Sequence, residues 1–144
     1  MLIALDARAR DALLSLYRAT RTIAVVGASS TEGKDAHDVP AYLHAHGYRV
    51  IPVTPREGTL FDEPTRPSLA ALEKAPDVVQ VFRPPEEAEG IARAAIASGA
   101  RVLWYQPGTE TERAVRAAHD AGLTVVWGRC MRMTHLELGL ERSR

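Results

Sequence analysis

The chain has 144 residues, and eighteen basic side chains balance eighteen acidic ones. That length suits one domain with a core of its own, and the even charge excludes the basic stripe that nucleic-acid binding needs. Small molecules or other protein surfaces are the expected partners.

A single cysteine, Cys130, cannot form an internal disulfide, which fits a reducing compartment. The N-terminus carries charges every few residues and lacks the apolar core of a signal peptide. No apolar run reaches the length of a membrane span. The expected setting is the cytoplasm, with no membrane partner.

In chain order, Leu5, Ala9, Leu13, Leu16 and Tyr17 recur at helical spacing and predict a first amphipathic helix within residues 1–20. "TIAVVG" reads as a buried strand. "DVPAYLHAHG" predicts a helix with Asp38 as cap, Pro40 in its first turn and Gly47 as its stop. "YRVIPV" predicts a second strand. Residues 54–67 hold three prolines and read as irregular. A short helix over 69–73 leads to a third strand, "DVVQVF". "PPEEAEGIARAAIASG" predicts a helix with prolines and acids at its start and Gly99 at its end. "RVLWY" is a fourth strand. "TETERAVRAAHDAG" predicts a helix opened by Thr109 and Glu112 at capping-box spacing. "TVVWG" is a fifth strand, and "THLELGL" predicts a last short helix, with Thr134 and Glu137 at the same spacing. Strand and helix alternate five times, which predicts an α/β fold: a parallel five-stranded sheet with helices on both faces.

Ligands of such sheets bind beyond the carboxyl ends of the strands. After the first strand come Gly27, Ala28, Ser29 and Ser30. Gly27 permits a sharp turn and a close ligand approach; the serines offer hydroxyls, and the following helix start favours an anion. The turn lacks the further glycines of G-x-G-x-x-G, so standard dinucleotide binding is disfavoured. After the second strand come Thr54, Pro55 and Arg56. An NAD site places a carboxylate there to accept from the ribose. Arg56 can only donate, and it suits a phosphate. The candidates are NADP, with a 2′-phosphate, and coenzyme A, with a 3′-phosphate. The third strand ends in Arg83-Pro84-Pro85, the fourth in Gln106-Pro107-Gly108 and the fifth in Arg129-Cys130-Met131.

Five motifs, "VGAS", "GYRVIPVTPRE", "VVQVFRPPEEA", "SGARVLWYQPG" and "AGLTVVWGRC", stand in this order over residues 22–130. Together they resemble the small stand-alone CoA-binding proteins, a family similar to the CoA-binding domain of the succinyl-CoA synthetase alpha subunit. The resemblance implies a Rossmann-like, doubly wound single domain over 1–144 that binds coenzyme A or an acyl-CoA. It implies that Gly27, Ala28, Ser29 and Ser30 cradle phosphate and that Lys34 assists. It further implies that Arg56 follows strand two as the basic contact, with Thr54 and Pro55 beside it. Phe82, Arg83 and Pro84 then lie along the nucleotide. After "GRC" the chain departs from the family pattern, so no role passes to Thr134, His135 or Glu137.

The synthetase relatives use a phosphohistidine in a second domain. None of the five histidines here pairs with a carboxylate at a spacing that signals a metal or a catalytic dyad. Cys130 follows the fifth strand at the ligand-binding edge, and that position makes a mixed disulfide with the CoA thiol one conceivable chemistry. The expectation is a binding protein rather than an enzyme. The alternatives are an NADP-binding oxidoreductase-type domain, or an orphan subunit of a split acyl-CoA synthetase that docks an ATP-grasp partner. A homodimer is a further expectation.

Overall fold

The structure is a computed structural model and describes residues 6–142. It consists of α1 (Ala7–Ala19), β1 (Thr22–Val26), α2 (Asp35–Ala45), β2 (Arg49–Val53), β3 (Thr59–Leu60), β4 (Glu63–Pro64), β5 (Val78–Val81), α3 (Ala88–Ser98), β6 (Val102–Tyr105), α4 (Glu112–Asp120), β7 (Thr124–Val126) and α5 (Met131–Glu137). The main sheet has five parallel strands in the order β2-β1-β5-β6-β7. The chain runs outward from β1 to β2, then returns past β1 to β5. The strand order therefore reverses between β1 and β5, which is where an open sheet parts to admit a ligand.

Alternation along the strands builds two cores. Ile23, Val25, Val50, Val78, Val102 and Trp104 face a layer made by α1, α2 and α5. Ala24, Val53, Val79, Val81, Leu103 and Tyr105 face α3, α4 and a short 3-10 turn at Leu69–Ala71. Strands covered on both sides read as near-continuous apolar runs; buried Gln80 in β5 is the exception, and its amide donates to Gln106 Oε1 at 3.3 Å. The parallel sheet with helices on both faces is what the alternating pattern predicts, and its strand order gives the Rossmann-like, doubly wound form that the family resemblance implies. Among the described residues, no helix is long and apolar enough to cross a membrane.

Leu13 and Tyr17 anchor α1, and the Tyr17 hydroxyl donates to the Met131 carbonyl at 2.6 Å. Leu5, the first position of the predicted stripe, lies outside the described residues. Residues 54–67 contain the β3–β4 hairpin rather than purely irregular chain. Its turn residues, Phe61 and Asp62, have φ of 56° and 62°. That conformation usually selects Asn-Gly, so the hairpin carries no ordinary turn signal. Packing compensates: the Phe61 ring lies 5.6 Å from that of His37, and Asp62 meets His44 at 3.2 Å.

Three helix starts differ from expectation. Thr111, not Thr109, caps α4, accepting from the Ala114 amide at 3.1 Å; the Thr109 hydroxyl donates to the Gln106 carbonyl. α5 begins at Met131, so Thr134 sits inside the helix and Glu137 ends it. α2 begins at Asp35, so Asp38 and Pro40 lie within it.

Candidate functional site

The displaced start of α2 shapes the loop after β1. Pro40 has no N–H, so it cannot bond to Ala36, four residues earlier. The Ala36 carbonyl instead accepts the Ser29 amide at 3.1 Å. Within the loop the Ser29 hydroxyl accepts from the Thr31 amide at 3.1 Å. Asp38 reaches back from the helix and accepts from the Gly33 amide at 3.1 Å. The glycine–serine loop is thus stitched to the helix behind it, with Ser29 committed to that task and Ser30 left exposed.

Gly27 turns the chain at φ +91° and donates its amide to the Val53 carbonyl at 2.9 Å, tying the ends of β1 and β2 together. The sequence reading assigns the space beside Gly27 to a ligand. In the direction a side chain would take, the structure places protein there, although Gly27 also lines the cleft. A Cβ there would lie 2.7 Å from Arg83 Cδ and 3.1 Å from the Phe82 carbonyl oxygen. The glycine is required by the turn after β5.

A cleft of about 950 Å³ opens where the strand order reverses. Residues 27–30, Lys34, residues 54–56 and Arg83 all line it, so one space gathers the loops after β1, β2 and β5. Phe82 and Pro84 do not. Phe82 packs into the core beneath α1 and α2, and Pro84 is exposed at the start of a 3-10 turn. Chain that sequence reasoning passed over completes the walls: Gly58, Thr59 and Leu60 from the hairpin, then Leu69, Ile91 and Ala94. The hairpin gave no turn signal. Ile91 and Ala94 stand three residues apart on α3, a spacing shared by every amphipathic helix.

The charges in the cleft are unevenly engaged. Among the described residues, the side chains of Lys34 and Arg56 have no ion pair and no hydrogen bond. Arg83 is forked onto Glu87, with its Nη2 donating to Glu87 Oε2 at 2.7 Å. That hydrogen bond raises the Arg83 pKa and holds the Glu87 carboxyl below its usual range. No histidine or cysteine is among the residues that line the cleft. His37 is held instead by Asp38 at 2.9 Å, and Cys130 packs against the core beneath α1, α2 and α5. Cys130 is not among the residues that line the cleft. No group of three or more metal-ligating side chains converges among the described residues.

Residues 21–135 match the family described as the CoA binding domain. This chain belongs to that family. The CoA binding domain here is 31% identical over 93 residues to an uncharacterized protein, YneT, of Bacillus subtilis (strain 168), covering 65% of this chain and 69% of that one. It is 34% identical to the solved structure of cell-free ID.343 from Thermus thermophilus, covering 90% of this chain and 98% of that one at a TM-score of 0.86. It is 25% identical to the dinucleotide forming acetyl-coenzyme A synthetase 1 of Ca. Korarchaeum cryptofilum, solved in complex with phosphate and ADP. That match covers 76% of this chain but only 26% of the synthetase, at a TM-score of 0.64. The resemblance read from the five motifs is therefore upheld at the level of family and fold.

Proposed function

We propose that this chain binds coenzyme A, or a thioester of it, in the cleft at the sheet's reversal point, and does so as a binding module without a chemical step. The observation that carries the reading is the pair of uncommitted cations, Lys34 and Arg56, which follow two different strands and line one cleft. Coenzyme A combines a diphosphate and a 3′-phosphate with a long, largely apolar arm. Lys34 and the loop over residues 27–30 suit the diphosphate. Arg56 suits the 3′-phosphate, since a guanidinium forks onto phosphate. Leu69, Ile91 and Ala94 offer an apolar wall for the arm. The cleft's lack of histidine and cysteine supports binding without covalent chemistry.

Thermal unfolding with coenzyme A, dephospho-CoA, NADP and NAD in parallel tests the reading. A ligand at one hundred times its dissociation constant adds about 2.7 kcal/mol to stability. At about 3 °C per kcal/mol for a chain of this size, the midpoint rises by roughly 8 °C. A rise with NADP and none with coenzyme A refutes the proposal. Arg56→Ala then assigns the 3′-phosphate. Loss of charge-assisted hydrogen bonds worth about 1.5–3 kcal/mol weakens coenzyme A binding roughly ten- to hundredfold, with dephospho-CoA nearly unaffected. Equal losses on both ligands remove Arg56 from that role.

The match to about a quarter of a synthetase chain favours a second reading, a CoA-binding piece that works beside a separate catalytic partner. Recovery of an ATP-grasp protein on the tagged chain, strengthened by coenzyme A, supports it.

A further inference from the structure

The Arg83–Glu87 pair stands at the mouth of the glycine turn. The arginine stem lies against the bare α-carbon of Gly27, as the 2.7 Å approach of a Cβ to Arg83 Cδ shows. The head is tied on the far side. Arg83 Nε donates to the two Glu87 oxygens at 3.3 and 3.1 Å, and Nη2 donates to Oε2 at 2.7 Å. Both residues line the cleft. The two side chains are 48% and 46% exposed, so a solute can reach the pair and water screens it. An ion pair of that kind is worth no more than about 1 kcal/mol, which a competing anion can supply.

We propose that Glu87 is a built-in competitor for the anion site. It holds Arg83 across the glycine turn, and a ligand phosphate binds there by taking the guanidinium from it. A tetrahedral phosphate can present two of its oxygens to the guanidinium as a carboxylate does, and a terminal phosphate carries more charge. The exchange costs a phosphate ligand little. A nucleoside or an uncharged acyl group has nothing with which to displace Glu87. The pair therefore acts as a selectivity filter: Lys34 and Arg56 attract any anion, and Arg83 is released only to one able to outcompete a carboxylate. This inference rests on the coenzyme A reading for its natural ligand but not for its mechanism.

The test is a double-mutant cycle on the full chain. Coenzyme A and inorganic pyrophosphate are titrated calorimetrically against wild type, Glu87→Gln, Arg83→Gln and the double variant. Circular dichroism and urea midpoints check that each variant is folded. Glu87→Gln is expected to tighten binding about two- to fivefold, the fold-change an exposed ion pair is worth. Arg83→Gln is expected to weaken it. In the Arg83→Gln background, Glu87→Gln is expected to change nothing, because there is no guanidinium left to release. If Glu87→Gln tightens binding equally in both backgrounds, Glu87 acts only through its charge and the exchange is refuted. If it tightens binding in neither, the competition is refuted as well. A wild type that ignores coenzyme A overturns the functional reading. The pyrophosphate arm of the cycle still decides the exchange in that case.

Discussion

Gly27→Ala probes the turn on which the whole site depends. Two costs add. Placing a Cβ on a residue with φ of +91° costs about 1–2 kcal/mol. The new methyl also meets its surroundings. Arg83 Cδ, at 2.7 Å, belongs to a flexible side chain and can move aside, but the Phe82 carbonyl oxygen, at 3.1 Å, is backbone and cannot. Forcing an extra methyl into such a site costs about 1–3 kcal/mol. Together they predict a loss of about 2–5 kcal/mol. Gly33→Ala is the matched control. Its φ is +94° and nothing lies within 4 Å of an added Cβ, so only the backbone cost of about 1–2 kcal/mol applies. Arg83→Ala in the Gly27→Ala background removes Cγ and Cδ and recovers the part of the loss due to the arginine stem. The assay is urea unfolding, read as a shift in midpoint at unchanged m-value. Equal losses for Gly27→Ala and Gly33→Ala refute the contact; with unequal losses, the extent of recovery with Arg83→Ala divides the cost between the arginine stem and the Phe82 carbonyl.

Two further predictions concern the frame around the site. Burial works to raise the pKa of Asp77, but hydrogen bonds from the Arg21 and Thr22 amides, helped by Arg101, hold its carboxyl below the ordinary value. A depressed carboxylate stabilises the fold fully above its unfolded pKa of about 3.9, and that contribution is lost as pH falls through the folded value. The stability gap between wild type and Asp77→Asn is therefore constant near neutrality and closes in acid, as equilibrium unfolding across pH will show; a gap that stays constant down to the acid transition sinks the assignment. Thr111→Ala removes the cap of α4 and costs about 1 kcal/mol. Thr109→Ala should leave the α4 start intact, so helix fraying measured by amide exchange separates the two threonines.

The strands were legible because physics leaves them little choice. A strand covered on both faces favours a near-continuous apolar run, and "IAVV" and "VLWY" provide one without help from neighbours. Their alternation with helices was enough to imply the parallel, doubly wound sheet. The caps were less legible, because two threonines stand two residues apart before α4 and spacing alone does not say which hydroxyl meets an amide. The β3–β4 hairpin was not legible at all. Its strands are two residues each, and its turn uses Phe61 and Asp62 in a conformation that sequence rules reserve for Asn and Gly. The packing of Phe61 on His37 and the Asp62–His44 contact compensate for that turn, and both exist only in three dimensions.

The site shows the same division more sharply. Arg56 could be chosen from chemistry and order along the chain, because a guanidinium stands where an NAD site needs an acceptor; Lys34 came only with the family resemblance. Gly27 was chosen for a reason the structure revises. A missing side chain invites the inference of a ligand, but the space goes first to Arg83 and to the backbone of Phe82. Pro40 was assigned to a helix start, where it would be inert. One turn later it frees the Ala36 carbonyl, and that carbonyl holds Ser29. The glycine–serine loop is thus shaped from behind by a missing hydrogen bond and from the front by a tethered arginine. Both act through backbone geometry that no residue-type motif records. A ligand that approaches Gly27 along the direction of a side chain meets Arg83 first, and under the proposed exchange the carboxylate of Glu87 sets the terms.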